Sequence, residues 1–217
     1  MSALTEKILD LLYPPKCAFC RRLVRDGRML CPECEKKLPV PDREDQAQRI
    51  PPLALCLSAL YYTGDVQKSL LRYKFHGAAA YCRIYGELMD ACLREHDVHP
   101  DVVTWVPLSR RRLRKRGYDQ AELLAREVAS RRGVPCERMM EKTRNNPAQS
   151  GTRSPEERRK NVEGVYRAIT DCTAVQVLLV DDIVTTGATL SAAAQVLYDA
   201  GAIEVTGLTL ARNLQGA

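Results

Sequence analysis

Two adjacent carboxylates followed by a turn of small residues form the part of the sequence best suited to chemistry. Residues 177–190 read VLLVDDIVTTGATL, so an apolar run ends at Asp181 and Asp182 and continues through the turn 185–189. Backbone N–H groups in such a turn can approach an anion closely, and a helix that begins there adds donors and a positive partial charge. We therefore expect this turn to bind a phosphate group.

The two carboxylates need a partner other than phosphate, because negative groups repel an anion. A ribose 2′,3′-diol is such a partner, since it can donate one hydrogen bond to each carboxylate. Asp181 and Asp182 together with the turn thus describe a site for a ribose 5-phosphate. The alternative, in which the aspartates only cap the next turn, explains one of them but poorly explains both. Neither a P-loop nor a G-x-G-x-x-G pattern after a strand occurs, which argues against those nucleotide folds.

The positive charge of the chain is concentrated in one segment. The net charge is +6, and residues 109–160 contain 16 basic and 7 acidic residues, a local charge of +9. This segment is either a solvated arginine-rich surface or a binding site for phosphate, carried by a small substrate or by a nucleic acid. The sequence leaves both interpretations open.

Four of the nine cysteines form two CxxC pairs near the N-terminus. Cys17 and Cys20 form the first pair, and Cys31 and Cys34 form the second. This spacing lets four thiolates surround one ion, and it favours zinc over an iron–sulfur cluster or a redox pair. A zinc ion with four protein ligands is structural, and its binding supplies much of the folding free energy of so short a segment.

The pattern of apolar and polar residues predicts an α/β fold that would position these groups. Strands are expected at about 54–62, 102–107, 137–142, 164–169, 175–180 and 204–210, and helices at about 65–74, 78–95, 118–131 and 187–200. Strands that alternate with helices favour a mostly parallel sheet flanked by helices. Ligands of such sheets bind beyond the carboxyl ends of the strands, where Asp181 and Asp182 are expected.

Length and composition limit the domain organisation and the class of protein. A chain of 217 residues permits one medium domain with a small appendage, and we expect a zinc-finger subdomain and linker over residues 1–48 and a main domain over 49–217. With 45% apolar and 28% charged residues, the chain is neither fibrous nor disordered throughout. We expect no membrane span, since no apolar stretch approaches about 20 residues. The N-terminus lacks the apolar region of a secretory signal, so we expect a cytoplasmic protein.

These motifs together resemble the ComF family, which joins a four-cysteine zinc finger to a type I phosphoribosyltransferase domain. Residues 177–190 look like the phosphoribosyl-pyrophosphate (PRPP) signature of that superfamily. The finger and the segments 73–77, 106–125 and 142–162 extend the resemblance over nearly the full length. One departure is Asp119, where the family more usually has Asn.

The resemblance implies a type I phosphoribosyltransferase-like fold and transfer of 5-phosphoribose from PRPP, with Mg²⁺, to a nitrogen nucleophile. It implies that Asp181 and Asp182 are catalytic and hold the ribose, and that the 5-phosphate is held by Thr185, Thr186, Gly187, Ala188 and Thr189. The pyrophosphate or a mobile loop over the site would involve Lys74, Ser109, Arg110, Arg112, Arg116 and Gln120. Basic groups and Mg²⁺ would stabilise the charge that grows on the leaving pyrophosphate.

The resemblance also implies a link to DNA uptake in natural transformation, which supports a second hypothesis. The chain would then be a non-catalytic adaptor that binds single-stranded DNA or a competence helicase. Bases stack on aromatic side chains, and we expect Trp105, Phe19 and Phe75 in the core, which leaves Tyr118 as the main candidate. Resemblance to phosphoribosyltransferases also favours a homodimer.

Overall fold

A computed structural model describes residues 15–25, 27–143 and 164–213 of the chain. The strands are β1 Ala47–Gln48, β2 Leu55–Tyr61, β3 Val102–Trp105, β4 Met140–Lys142, β5 Tyr166–Ala168, β6 Gln176–Val184 and β7 Glu204–Arg212. The α-helices are α1 Pro32–Lys37, α2 Arg43–Gln46, α3 Gly64–Phe75, α4 Cys82–Glu95, α5 Arg110–Arg116, α6 Gln120–Arg132 and α7 Ala188–Asp199. None of these helices is long and apolar enough to cross a membrane.

The main sheet contains five strands in the order β1, β2, β7, β6 and β3. The last four are parallel to one another, and only β1 runs antiparallel to its neighbour β2. Strand β6 is buried on both faces: Leu178 and Val180 belong to one apolar core, and Val177 and Leu179 belong to the other. A parallel strand covered on both faces has a continuous apolar sequence, as β6 does. The predicted α/β fold with a mostly parallel sheet is confirmed.

Two of the predicted strands lie outside the main sheet. Among the described residues, strands β4 and β5 pair only with each other, in an antiparallel two-stranded ribbon with Lys142 opposite Tyr166. Each has only three residues, and so short a pattern does not reveal which strand it pairs with. Residues 144–163, which carry much of the basic segment and of the resemblance beyond Lys142, lie outside the described ranges.

A helix occupies a segment for which the family resemblance implied a loop. Residues Arg110–Arg116 form helix α5, whose start is capped by the Ser109 side chain. Its end is capped by Gly117, which adopts the left-handed conformation with φ of +81°. Six of its seven residues are basic, so the segment has no apolar face from which periodicity could predict a helix. Local caps, rather than periodicity, mark this helix.

Residues 38–46, the Pro- and charge-rich linker expected within residues 1–48, fold against the main sheet. Asp42 caps the short helix α2 by accepting a hydrogen bond from the Asp45 N–H at 2.9 Å. Gln46 at the end of that helix is 2% exposed, and Ala47 pairs with Leu57 of strand β2. A four-residue helix and a two-residue strand are too short to leave a periodic signal, which is why the composition of this segment predicted a linker.

Helices α4 and α6 pack closely together on one face of the sheet. Their shared core contains Tyr85 and Leu124, both fully buried. Gly86 of α4 lies against Glu127 of α6, and a Cβ atom at Gly86 would lie 2.8 Å from the Glu127 Cβ. The absence of a side chain at Gly86 therefore sets the distance between the two helices.

We predict that Gly86→Val lowers the free energy of unfolding by about 1–3 kcal/mol, because the added atoms force the two helices apart. Urea denaturation followed by circular dichroism would measure the change. Ala91→Val, at an exposed position of the same helix, is the matched control and should cost less than about 1 kcal/mol. Equal effects of the two substitutions would contradict close packing at Gly86.

Candidate functional site

The two carboxylates lie at the carboxyl end of β6, where one of its neighbours has ended. Val180 is the last residue of β6 that pairs with β3, opposite Trp105. On the other side β7 continues to Arg212, opposite Val184. Asp181 and Asp182 therefore emerge beside an open edge of the sheet, which is where ligands of parallel sheets bind.

The turn after β6 leads directly into helix α7. Its threonines Thr185, Thr186 and Thr189 are exposed, whereas Gly187 is buried. Gly187 is the N-cap of α7 with φ of +75°, and a Cβ there would lie 2.9 Å from the Ile50 Cδ1. Because the cap residue has no side chain, it leaves the first-turn N–H groups of α7 to another acceptor. The geometry suits a phosphate among these N–H groups and the threonine hydroxyls.

A lysine from helix α3 pairs with the second carboxylate. The Lys74 Nζ lies 2.8 Å from the Asp182 Oδ1, and the two side chains are only 18% and 14% exposed. The Asp181 Oδ1 accepts a hydrogen bond of 2.8 Å from the Asp182 backbone N–H. The structure thus brings together Asp181, Asp182 and Lys74, three of the residues that the sequence predicted for this site.

Burial and the charge of Asp182 raise the pKa of Asp181 from 3.8 to about 8. The Asp182 N–H and the Lys74 ammonium act in the opposite direction, but more weakly. Without a further hydrogen-bond donor or cation, the protonated form of Asp181 is favoured at neutral pH. A ligand that donates hydrogen bonds to Asp181 would favour its charged form.

The loop after β3 is tied to helix α6 by Asp119. One oxygen of the buried Asp119 carboxylate accepts a hydrogen bond from the Leu108 N–H at 2.8 Å. The other oxygen accepts from the N–H groups of Ala121 at 3.1 Å and Glu122 at 3.4 Å. A carboxylate has acceptors on both oxygens, whereas an asparagine would turn its NH₂ group toward some of these donors. The aspartate that departs from the family pattern therefore has a definite role as a cap and a loop anchor.

The basic residues of the α5 region occupy different environments. Arg110 and Arg112 are exposed on α5, and Ser109 is buried as its N-cap. Arg116 is half-buried and donates a hydrogen bond to the Gln120 side chain. Burial lowers the pKa of Arg116, and the nearby charge of Asp182 partly offsets that shift. Arg116 is therefore close enough to Asp182 to feel its charge and is held by Gln120, whereas Arg110 faces solvent.

Phe75, predicted in the core, is 55% exposed at the end of α3. The Arg116 guanidinium lies 4.9 Å from its ring centroid. The core prediction was wrong here because Phe75 lies two residues beyond Tyr73 and therefore off the helix face that carries the buried Leu70 and Tyr73. Tyr118, predicted as the main candidate for base stacking, is half-buried and donates its hydroxyl hydrogen to the Tyr73 carbonyl oxygen. Trp105 and Phe19 are buried as predicted.

Two residues for which the sequence predicted no role in the site also lie near it. The Lys142 Nζ lies 3.5 Å from the Tyr166 hydroxyl and 5.2 Å from the ring centroid of Tyr166. Burial and the nearby Arg112 lower the pKa of Lys142, and the charge of Asp181 opposes this shift. The ribbon of β4 and β5 thus brings another cation close to the carboxylates. No sequence signal reveals this, because it depends on how the two short strands pair.

The four cysteines of the N-terminal segment form a compact cluster. The sulfur atoms of Cys17, Cys20, Cys31 and Cys34 all lie within 4.8 Å of one another. Four sulfur atoms at this spacing fit one tetrahedral zinc ion with Zn–S distances of about 2.3 Å. The Cys31 Sγ accepts a hydrogen bond from the Cys34 N–H at 3.4 Å, and this hydrogen bond lowers the pKa of Cys31 to about 7. The cluster therefore supports a structural zinc ion.

We predict that the raised pKa of Asp181 destabilises the ligand-free chain as pH rises. The carboxyl group of Asp181 holds its proton more tightly in the folded state than in the unfolded state. The stability that this bound proton contributes is therefore lost progressively as the pH rises from about 4 to 8. Asp181→Asn should therefore stabilise the chain more at pH 9 than at pH 6, as measured by urea denaturation. Asp199→Asn, at an exposed side chain that accepts a hydrogen bond only from the neutral Gln195 amide among the described contacts, should show no such difference. A pH-independent effect of Asp181→Asn would contradict the prediction.

Comparison with protein-family models identifies two domains in this chain. Residues 8–45 match a double zinc ribbon domain, and residues 114–217 match a phosphoribosyl transferase domain. Among solved structures, the allosteric regulatory enzyme of purine biosynthesis is 26% identical with a TM-score of 0.42. That match covers 59% of this chain and 25% of the other.

Two curated relatives are similar over most of their length. Competence protein ComFC of Bacillus subtilis is 30% identical over an alignment of 224 positions, and the match covers 96% of this chain and 90% of that protein. DNA utilization protein YhgH of Salmonella typhimurium is 29% identical over an alignment of 205 positions, and the match covers 91% of this chain and 90% of that protein. With a zinc ribbon, a phosphoribosyl transferase domain and nearly full-length similarity to ComFC, the chain belongs to the ComF family.

Proposed function

We propose that the chain binds PRPP with Mg²⁺ at the end of β6 and transfers its 5-phosphoribose to a nitrogen nucleophile. One observation carries the proposal: the carboxylates of Asp181 and Asp182 are followed directly by the turn 185–189 at the start of α7. This places acceptors for ribose hydroxyls next to donors for a phosphate. The match to a phosphoribosyl transferase domain over residues 114–217 supports the same ligand class.

Each part of PRPP has a matching set of groups. The 5-phosphate would accept hydrogen bonds from the N–H groups and hydroxyls of the turn 185–189, and the ribose hydroxyls would donate to Asp181 and Asp182. Lys74, which pairs with Asp182 at 2.8 Å in the ligand-free chain, would then be released to contact the pyrophosphate. The ligand would thus replace an internal ion pair with hydrogen bonds of its own.

In the proposed reaction, the bond from ring C1 to the pyrophosphate oxygen breaks and a bond from C1 to the nitrogen forms. Pyrophosphate leaves with the bonding electrons, and the nitrogen loses its proton to water or a nearby base. Positive charge on the ring is stabilised by the two carboxylates. Negative charge on pyrophosphate is stabilised by Lys74, Arg116 and Lys142, all near the carboxylates. Bound Mg²⁺ would supply further charge neutralisation on the pyrophosphate.

Isothermal titration of the zinc-loaded chain with PRPP and Mg²⁺ would test this proposal. The wild type should bind, and the double variant Asp181→Asn/Asp182→Asn should bind about a hundredfold more weakly or worse. This estimate takes two charge-assisted hydrogen bonds at about 1.5 kcal/mol each. The matched control is Asp97→Asn, which changes an exposed aspartate and should leave the affinity unchanged.

No binding by the wild type would contradict the proposed function as a whole. If PRPP binds, release of pyrophosphate should be measured with nucleobases, amines and ammonia as acceptors, against a reaction without acceptor. Release that is no faster with any acceptor would contradict the transferase step and leave a PRPP-binding protein.

We propose, as a second candidate, a surface for single-stranded nucleic acid beside this site. The exposed Phe75 ring and the α5 helix Arg110–Arg116 lie next to each other, because the Arg116 guanidinium stacks on Phe75 at 4.9 Å. Leu71 and Leu113 are also exposed, at 42% and 41%. An exposed aromatic ring bordered by cations is the combination that binds unpaired bases and their phosphates. The names of the relatives, DNA utilization protein and competence protein, favour the same partner.

Fluorescence anisotropy with labelled oligothymidylate would test this second candidate. Phe75→Ala should weaken binding by roughly tenfold, since stacking of one base contributes about 1–3 kcal/mol. Arg110→Gln/Arg114→Gln should reduce the slope of log affinity against log salt, by about 0.7 for each phosphate that the variant no longer neutralises. Ile203→Ala, at a residue 61% exposed and distant in sequence, is the control. If all these variants bound the oligonucleotide with equal affinity, the proposed nucleic-acid surface would be wrong.

A further inference from the structure

Helix α3 contacts both the cysteine cluster and the carboxylate site. Ser69 and Arg72 contact the N-terminal segment, and Lys74, which lies in the last turn together with Arg72, pairs with Asp182. Only one residue separates Arg72 from Lys74, so the two contacts bear on the same helical turn. The structure thus joins a metal centre and a candidate substrate site through one rigid element.

The contact at the metal end is made to the CxxC turn itself. The Arg72 Nη2 donates hydrogen bonds to the carbonyl oxygens of Ala18 at 2.8 Å and Phe19 at 2.7 Å. These two residues lie between Cys17 and Cys20. The Ser69 hydroxyl also donates to the Ala18 carbonyl oxygen. A bound zinc ion fixes both ends of this short turn, so it also fixes the carbonyl groups that Arg72 contacts.

The guanidinium of Arg72 has few alternatives to this contact. Its Nε is buried and has no hydrogen-bond acceptor within the described part of the chain. An unsatisfied buried donor carries a cost in free energy, so an apolar side chain would fill this space at a smaller cost. Compared with an apolar side chain, an arginine at this position adds the two hydrogen bonds to carbonyl oxygens. These bonds come from a charged donor and are therefore stronger than hydrogen bonds between neutral groups.

The contacts at the substrate end fix the last turn of α3 from the opposite side. The Tyr73 hydroxyl donates to the Gln120 carbonyl oxygen at 2.9 Å, at the start of α6. The Tyr73 carbonyl oxygen accepts from the Tyr118 hydroxyl. The Lys74 Nζ lies 2.8 Å from the Asp182 Oδ1, beside the open edge of the sheet. A change in the orientation of this turn would therefore move the Lys74 ammonium relative to both carboxylates.

We infer that Arg72 is a positioning residue through which the zinc-bound turn 17–20 holds Lys74 in place, so that zinc binding and ligand binding at the carboxylates strengthen each other. The inference rests on the proposed function in naming PRPP as that ligand. Because linkage between two binding sites is reciprocal, zinc raises the affinity for PRPP and PRPP raises the affinity for zinc by the same factor. The structural zinc thereby contributes to the site as well as to folding.

Arg72→Met in the full-length chain tests the inference, because it keeps the length of the side chain and removes its donors. With zinc content verified at one per chain, we expect PRPP affinity to fall about fivefold or more. Arg72→Lys, which retains one charged donor group, should restore part of that affinity. The matched control is Lys68→Met, on the exposed side of the same helix, and it should bind PRPP as the wild type does.

Zinc extraction by a chelator tests the reciprocal effect. Saturating PRPP should reduce the equilibrium extraction of zinc from the wild type by the same factor by which Zn²⁺ raises PRPP affinity. In Arg72→Met this protection should disappear, although zinc still binds. A residue that merely stabilised the fold would weaken both sites without removing the protection that one ligand gives the other.

Hydrogen exchange separates this inference from the proposed function. Removal of zinc from the wild type should speed exchange of the His76 N–H, which bonds to the Arg72 carbonyl oxygen at 2.9 Å, and Arg72→Met should do the same with zinc bound. If the wild type does not bind PRPP, the proposed function fails, and the exchange data alone decide the coupling. The inference would be overturned if exchange of the His76 N–H were unchanged both by zinc removal and by Arg72→Met. It would also be overturned if Arg72→Met bound PRPP with the affinity of the wild type.

Discussion

The ion pair between Lys74 and Asp182 is the interaction on which the arrangement of this site depends. Two adjacent carboxylates at the end of a buried strand repel each other, and burial adds to the cost of charging both. The pair supplies one compensating cation at 2.8 Å, while Asp181 keeps a raised pKa. Helix α3 must end beside β6 for the lysine to arrive there. The contacts of α3 with the cysteine cluster and with α6 therefore serve the same geometry as the carboxylates.

The proposed PRPP site and the proposed nucleic-acid surface share side chains around the carboxylates. The charge of Asp182 raises the pKa of Arg116 against the effect of burial, and the Arg116 guanidinium also stacks on the exposed Phe75. Asp119 holds the loop after β3 against α6, so the exposed helix α5 starts from a fixed point. Because Arg116 belongs to both surfaces, a bound PRPP and a bound nucleic acid would act on the same side chain.

Membership of the ComF family agrees with the physical properties of the chain in two respects. The zinc ribbon match covers the segment whose four sulfur atoms converge. The phosphoribosyl transferase match covers the carboxylates and the turn at the end of β6. The finger residues Ala18 and Phe19 are buried in the same apolar core as Tyr73 and Tyr85 of the main domain. The metal-binding segment is therefore packed into the structure that carries the site.

The sequence by itself determined the features whose physics is local. The aspartates and the turn 185–189 are contiguous, the cysteine pairs have ligand spacing, and the apolar run of β6 identifies a buried parallel strand. Only the tertiary structure decided which distant groups join them. Lys74 as the partner of Asp182, Lys142 beside Tyr166, and the exposure of Phe75 depend on helix docking and strand pairing. Such contacts leave no periodic trace, because the free energy that selects them comes from packing between elements far apart in the chain.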